Sequence, residues 1–205
     1  MFLTIQEEKI KTEIVEKKSK FIANLFYVRN EQEIQLILKN IKKQYFDARH
    51  NCFAYRIMTS DGIVERFSDD GEPSGTAGSP MLNILNKNNL CNVLVVVTRY
   101  FGGILLGTGG LVRAYSDVTI KAINTATYAN ETIGLEVEFE MQYTQLENFK
   151  YYCKKYYINI VNIVFESNVK CYAELEQEEL NKIIENCNIL KYRVVENRNI
   201  RKSCI

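Results

Sequence analysis

The sequence predicts an α+β protein of two domains, divided near residue 131, with a ferredoxin-like βαββαβ order in the second domain. Composition changes at this point, because both prolines and nine of the ten glycines precede residue 111. Charge changes as well: residues 1–130 carry 16 basic and 13 acidic residues, whereas residues 131–205 carry 10 and 12. The third observation is the regular alternation of apolar and polar residues in the second half, which is typical of half-buried strands.

The second half contains six periodic segments in the order strand, helix, strand, strand, helix, strand. Alternation or apolar runs predict strands over 133–143, 158–165, 169–175 and 190–194, and helical spacing predicts helices over 146–156 and 180–187. Residues 125–132 show little periodicity, so we predict domains at 1–130 and 131–205. The last ten residues, 196–205, are polar, and we expect them to be loosely ordered.

The first half is less regular but also mixes strands and helices. We predict strands over 10–14 and 21–25 joined by a basic turn, a helix over 34–41, a hairpin of 52–58 and 63–67, a short helix within 76–88, a strand over 93–97 and a helix over 111–122. The hairpin turn contains Asp61-Gly62. Residues 93–97 form a continuous apolar run, so we expect that strand to be buried on both faces.

Bulk composition excludes several classes of protein. Hydrophobic residues make up 46% of the chain, which predicts a packed core. The net charge of +1 gives no global electrostatic reason for nucleic-acid binding, although local patches remain open. No run approaches the roughly 20 apolar residues of a membrane helix, and the N-terminus lacks a signal-peptide pattern. The six cysteines contain no C-x-x-C pair, so we expect reduced thiols in a cytoplasmic protein, with no metal and no cofactor.

A glycine-rich stretch, RYFGGILLGTGGLVRAY at 99–115, follows the apolar run. Strand, glycine turn and helix together make the geometry of an anion site, because the first N–H groups of a helix lack internal partners and the helix dipole is positive there. Two common phosphate motifs are absent: Thr108 stands where a P-loop needs lysine, and Val112 replaces the third glycine of G-x-G-x-x-G. A phosphate-binding loop and a tight structural turn both remain open.

A second polar loop, RFSDDGEPSGTAGSP at 66–80, places carboxylates among glycines and prolines. Close carboxylates serve as acid and base or hold a cation, and they also cap turns. Thr76 is positioned to cap the helix that follows. His50, the one imidazole of the chain, is either a general base or a hydrogen-bonded structural residue.

Both loops border strands and carry complementary charges, so we predict that they meet around one concave site. Arg99 ends a buried strand, where open α/β sheets place ligand-contacting residues, and its structural alternative is an ion pair with Asp69 or Asp70. The N–H groups of residues 107–110 would face an anion, with Thr108 as a hydroxyl or cap. The candidate binding residues are His50, Asp69, Asp70, Glu72, Thr76, Arg99, Tyr100, Gly102, Gly103, Gly107, Thr108, Gly109, Gly110 and Arg113.

Three long motifs together resemble the YigZ/IMPACT family. They are DARHNCFAY, FSDDGEPSGTAGSPML and VVVTRYFGGILLGTGGLVRAY, in this order, and the basic turn at 17–21 is similar to the beginning of that family. The resemblance extends over essentially the whole chain. One departure is Ser79, which stands where the family often has a basic residue, and this change removes a candidate phosphate contact.

The resemblance implies an N-terminal α/β sandwich like the second domain of ribosomal protein S-five, followed by a ferredoxin-like domain as in bacterial members. It also implies a link to translation, because eukaryotic relatives are translational regulators that bind the co-activator of a stress kinase. Those relatives carry an additional domain, so that partner is not transferred to this chain.

Three functions therefore remain open. We favour a translation-associated protein that binds the ribosome or RNA through the glycine-rich site. The alternatives are an enzyme acting on a small phosphorylated or acidic substrate through His50, Asp69 or Asp70, and a protein-interaction module without chemistry. We expect no membrane association, and the sequence leaves the oligomeric state open.

Overall fold

A five-stranded antiparallel sheet lies at the centre of the N-terminal domain in our computed structural model, which describes residues 2–59 and 61–203. The first strands of the chain are β1 (Phe2–Ile5), β2 (Lys9–Glu16), β3 (Ser19–Tyr27), β4 (His50–Thr59), β5 (Gly62–Ser68) and β6 (Val93–Tyr100). The sheet has the order β2-β3-β6-β4-β5, and each neighbouring pair is antiparallel. β1 lies outside it and contacts Leu90 through a bridge from Leu3.

Three helices cover the two faces of this sheet. They are α1 (Glu31–Gln44), α2 (Gly78–Lys87) and α3 (Gly107–Thr125). On one face, Ile34 and Ile41 of α1 pack against Leu94 and Val96 of β6. On the other face, α2 and α3 pack against alternate residues of the same strand, such as Val95. β6 is therefore buried on both faces, as the apolar run predicts.

The C-terminal domain has the predicted βαββαβ order. Its elements are β7 (Tyr128–Met141), α4 (Leu146–Lys155), β8 (Asn159–Phe165), β9 (Val169–Leu175), α5 (Gln177–Asn186) and β10 (Lys191–Ser203), with a single 3-10 turn at Tyr143–Gln145. β9 lies between β7 and β8, and β10 pairs with β7. α4 and α5 bury their apolar residues, including Phe149 and Ile183, against alternate residues of β7 and β9. The α+β fold class is confirmed.

Residue contacts divide the chain into two compact units, Phe2–Ala129 and Asn130 onward. β7 begins at Tyr128, within the stretch 125–132 that shows little periodicity. Five cysteines are buried free thiols, and the sixth, Cys204, lies outside the described residues. Within the described part of the chain, no helix is long and apolar enough to cross a membrane.

The prediction of a loose C-terminal tail is wrong for residues 196–203, because β10 extends through them. Ile200 is 2% exposed and occupies the space beside Gly134, where an added Cβ would lie 2.4 Å from its Cδ1. Arg198 forms ion pairs with Glu136 and Glu174, and Lys202 forms one with Glu179 at 2.8 Å. These contacts hold a strand that is polar in sequence.

Replacing Ile200 by alanine should therefore destabilise the C-terminal domain by about 2–5 kcal/mol, because it removes a buried side chain beside Gly134 and leaves a cavity there. Urea denaturation followed by circular dichroism measures this loss. Val195→Ala on the same strand is the matched control, since Val195 is 44% exposed and should lose far less. Equal losses in the two variants would contradict this prediction, because they would show that the burial of Ile200 adds no stability beyond that of an exposed residue.

Candidate functional site

A buried ion pair joins the 69–77 loop to the end of β6. Arg99 Nη1 lies 2.8 and 3.0 Å from the two carboxylate oxygens of Glu72, and both side chains are more than nine-tenths buried. The Tyr115 hydroxyl of α3 donates to the same carboxylate at 2.8 Å. The Arg99 guanidinium also lies over the rings of Phe21 and Phe101, with its Cζ at 5.5 and 5.6 Å from their centroids.

This geometry corrects both roles predicted for Arg99. Its ion-pair partner is Glu72 rather than Asp69 or Asp70. Its charge is neutralised inside the protein, so it does not supply a free cation to a surface anion. The rule that places ligands at strand ends applies to parallel sheets, whose strand ends meet at one edge, and this sheet is antiparallel.

Asp69 has the capping role that the sequence assigns to Thr76. Its Oδ1 accepts hydrogen bonds from the N–H groups of Ala77 and Gly78 at 3.0 and 2.8 Å, at the beginning of α2. Its Oδ2 accepts a third from Gly75 N–H at 2.8 Å. Thr76 instead donates its hydroxyl to a carbonyl within the loop, so the prediction of a Thr76 cap is wrong. A carboxylate at a helix N-terminus also complements the helix dipole.

His50 and Asp70 fix the beginning of the same loop. The His50 Nδ1 lies 2.8 Å from the Asp70 carbonyl oxygen, and since a carbonyl only accepts, the imidazole must carry a proton on Nδ1. The Asp70 carboxylate accepts a hydrogen bond from Asn51 N–H at 2.7 Å and lies 3.5 Å from Lys42 Nζ. This arrangement supports the structural interpretation of His50.

Cys52 is a buried member of this cluster that the sequence did not single out. Its Sγ donates to the Asp69 carbonyl at 2.9 Å and lies 3.3 Å from the Tyr115 hydroxyl. Burial raises the pKa of Cys52 to about 12, so the thiol stays protonated at neutral pH and is a poor nucleophile. Its position two residues after His50 on a strand was the available signal, because such residues share a face.

Tyr100, another candidate residue, contacts a different part of the domain. Its hydroxyl donates to Asp47 at 2.7 Å, and burial together with this hydrogen bond raises its pKa to about 12. Across residues 2–59 and 61–203, no group of three or more His, Cys, Asp or Glu side chains is arranged to hold a metal ion.

The glycine-rich turn packs against the β2–β3 hairpin. Gly102 approaches so closely that an added Cβ would lie 2.0 Å from the Lys18 carbonyl carbon, and Gly102 N–H donates to Ser19 Oγ at 3.2 Å. Gly103 and Gly107 have φ values of +85° and +71°, which residues other than glycine rarely adopt. Gly102 therefore contacts the β2–β3 hairpin, whereas the carboxylates of Asp69, Asp70 and Glu72 bind α2, β4 and Arg99.

The first turn of α3 is open. Gly107, Thr108 and Gly109 are exposed, and the residue before the helix, Leu106, supplies no side-chain cap. Thr108 is already inside the helix, so its predicted role as a cap is wrong. An added Cβ at Gly109 would meet nothing within 4 Å, which leaves open space over the free N–H groups.

Lys17 and Lys18 form the two-residue turn of the neighbouring hairpin, with φ values of 45° and 64°. Positive φ at both central residues defines a type I′ turn, in which Asn-Gly is preferred. Lys17, Gly110 and Arg113 line one small cavity of about 140 Å³, together with the carboxylates of Glu16 and Asp117 and three apolar residues. We call Lys17, Lys18, Arg113 and residues 107–110 the turn site.

Removing the Glu72 carboxylate should destabilise the N-terminal domain strongly, because it leaves the Arg99 guanidinium buried without its counter-ion. We expect Glu72→Ala to lower the free energy of unfolding by about 3–5 kcal/mol in urea denaturation. Glu13→Ala is the control, because it breaks a solvent-exposed ion pair with Lys20 and should cause a much smaller loss. If the two variants lose the same stability, the buried pair does not organise the domain.

Alkaline pH should destabilise the fold partly through Cys52. The unfolded thiol titrates near 9.0 and the folded one near 12, so the unfolded state binds fewer protons in this interval and the free energy of unfolding falls as pH rises. Cys52→Ala should make this decline shallower by up to about 1.4 kcal/mol per pH unit. Urea denaturation between about pH 9 and pH 11 measures the slope; an unchanged slope would contradict the raised pKa.

Comparison with known proteins assigns this chain to a family. The model of the Impact N-terminal domain matches residues 17–123. IMPACT family member YvyE of Bacillus subtilis is 40% identical over 173 residues, which are 84% of this chain and 79% of that protein. IMPACT family member YigZ of Escherichia coli is 40% identical over 131 residues, 63% of this chain and 64% of that protein. The Protein IMPACT homolog of Dictyostelium discoideum is 47% identical over 97 residues, only 28% of its length.

One solved structure agrees with this assignment at the level of the fold. A crystal structure of a hypothetical protein matches 95% of this chain and 97% of its own with a TM-score of 0.62 at 28% identity. The two-domain translational regulator Yih1 matches 58% of this chain with a TM-score of 0.40 at 24% identity, too low a similarity to support a functional assignment. The domain match over 17–123 and the identity to YvyE over most of both chains show that this chain belongs to the IMPACT family.

Proposed function

We propose that this protein acts in translation in the cytoplasm, as a regulatory protein that binds the ribosome or RNA through the turn site. Membership in the IMPACT family is the first support, because the sequence resemblance implies that eukaryotic members of the family are translational regulators. The match covers less than a third of the length of the Dictyostelium relative, so no further partner of those proteins is assigned to this chain.

The observation that carries the proposal is the left-handed conformation of Lys17 and Lys18. Residues with side chains lose roughly 1–2 kcal/mol each in this conformation, and Asn-Gly would fold the same hairpin at lower cost. Local rules of this kind are broken where function demands it. Two exposed ammonium groups at the tip of a hairpin supply positive charge next to the open beginning of α3.

The open helix end supplies the second part of the site. Its free N–H groups and positive dipole favour an anion, and Gly109 keeps side chains away from them. Arg113, one turn further along α3, is exposed and lines the same small cavity as Lys17. Glu16 and Asp117 also line this cavity, and their carboxylates repel an anion inside it. The proposal therefore depends on the exposed ammonium groups of the hairpin and on the first N–H groups of α3.

A protein partner is the second candidate, and exposed apolar residues of the glycine-rich turn favour it. Leu105 is 82% exposed and Phe101 is 49% exposed. Salt separates the two candidates, because RNA binding weakens steeply between about 50 and 200 mM salt and apolar docking does not. A small phosphorylated ligand would use the same N–H groups but would show a weak dependence on salt.

The double substitution Lys17→Asn, Lys18→Gly should separate folding from binding. We expect the free energy of unfolding to rise by about 1 kcal/mol, because both new residues suit the left-handed turn. We expect affinity for ribosomes to fall at low salt, and the slope of log affinity against log salt to become shallower by about 1.4. Sedimentation with purified ribosomes at several salt concentrations measures both quantities.

Two further variants complete this test. Lys154→Gln, Lys155→Gln removes two exposed lysines from the last turn of α4 and should leave binding unchanged. Gly109→Val adds a side chain at the first turn of α3, where a Cβ would meet nothing within 4 Å, so we expect weaker binding by a protein that stays folded. Wild-type binding by both the hairpin variant and Gly109→Val would contradict the proposed function.

A further inference from the structure

A second concave surface lies on the opposite face of the N-terminal sheet from α3. It is a cavity of about 640 Å³ between α1 and the strands β4 and β5, in the size range of ligand pockets. Lys39, Lys42, Lys43 and Phe46 line it from the side of α1, Phe53 lines it from the sheet, and Asp70 lines it from the 69–77 loop. We call this cavity the α1 groove.

The α1 groove carries a local excess of positive charge in a chain whose net charge is only +1. Three lysines and one aspartate line it. Lys42 lies 3.5 Å from the Asp70 carboxylate, which balances one of the three ammonium groups. Lys39 and Lys43 are exposed, and with Gln35 they recur every four residues, so the three side chains lie along one stripe of α1. Phe46 follows in the turn just after the helix.

Phe46 is the feature that a helix end does not explain. Lysines in the last turn complement the helix dipole and need no ligand, but an aromatic ring gains nothing from that position. Phe46 is 84% exposed although it borders a cavity, whereas the adjacent Tyr45 is 7% exposed and packs into the core. Phe53 forms a second aromatic wall and stacks on Tyr55 with centroids 6.2 Å apart.

An exposed ring beside ammonium groups in a concave surface matches the chemistry of a nucleotide. The ring offers a platform for a base, and the lysines contact the phosphates on either side of it. We infer that the α1 groove binds a nucleotide unit of single-stranded RNA, with the base on Phe46 and the phosphates at Lys39 and Lys43. This inference does not depend on the turn site, which involves a different face and different residues.

The test uses the full chain carrying the Lys17→Asn, Lys18→Gly substitution, so that binding at the turn site does not contribute. A fluorescein-labelled oligoadenylate is the probe, and fluorescence anisotropy at about 50 mM salt gives its affinity. Phe46→Ala should weaken binding at least about fivefold, the lower end for one stacked base. Phe46→Tyr keeps an aromatic ring and should bind like the parent.

Charge is tested separately through Lys43→Gln. This substitution should make the slope of log affinity against log salt shallower by about 0.7, the value for one phosphate contact of a single strand. Lys87→Gln is its matched control, because Lys87 is an exposed lysine in the last turn of α2 and lies outside the groove. Adenosine monophosphate and inorganic phosphate, added as competitors, distinguish a free nucleotide from an RNA strand as the source of the ligand.

The outcomes separate this inference from the proposed function. Unchanged oligoadenylate affinity in Phe46→Ala, no measurable binding by the parent, or equal competition by polyglutamate would overturn the inference, since each removes the role of the base. Loss of ribosome sedimentation in the hairpin variant with these results would support the turn site alone. A Phe46-dependent affinity in that same variant would support the groove, whether or not the hairpin lysines affect ribosome binding.

Discussion

The buried ion pair between Glu72 and Arg99 is the interaction on which the rest of the N-terminal domain depends. It joins a loop, a central strand and, through the Tyr115 hydroxyl, the helix α3. Burying two charges costs several kcal/mol per ion unless each finds good partners, so the pair persists only while the loop stays in place. Cation–π contacts with the rings of Phe21 and Phe101 stabilise the guanidinium further.

The loop in turn positions α2. With Glu72 held, the Asp69 carboxylate lies over the first N–H groups of the helix, and Gly78 packs where an added Cβ would come within 2.9 Å of the Ser68 backbone. Histidine, carboxylates and arginine in glycine-rich loops are the residue types of catalytic sites. In this domain their hydrogen bonds run to the backbone and to one another. They join the 69–77 loop to β4, β6, α2 and α3.

Periodicity predicted nearly all the elements, because it reports which face of a strand or helix is buried, and that information is local. Partners distant in the sequence were not predictable in this way: nothing around Arg99 distinguishes Glu72 from Asp69 or Asp70. The prediction for the end of β10 was wrong for a related reason. One apolar residue, Ile200, has no visible period among polar neighbours, and the acidic partners of Arg198 belong to other strands. The sequence predicted a basic turn at Lys17 and Lys18, but only the structure shows that both residues have positive φ values.

Because Glu72 neutralises Arg99 inside the domain, the cations that an anion could contact lie on the surface. An anion that approaches this domain meets cations that the fold does not need: the hairpin lysines, which disfavour their own turn, and the exposed lysines of α1. With a net charge of +1, the chain as a whole exerts no strong attraction on a polyanion. Specific recognition under the two proposals would therefore arise from short-range geometry, through the first N–H groups of α3 at one surface and the exposed Phe46 ring at the other. If the proposed binding holds, a polyanion would bind this protein through contacts to a few defined phosphates rather than along a uniformly basic face.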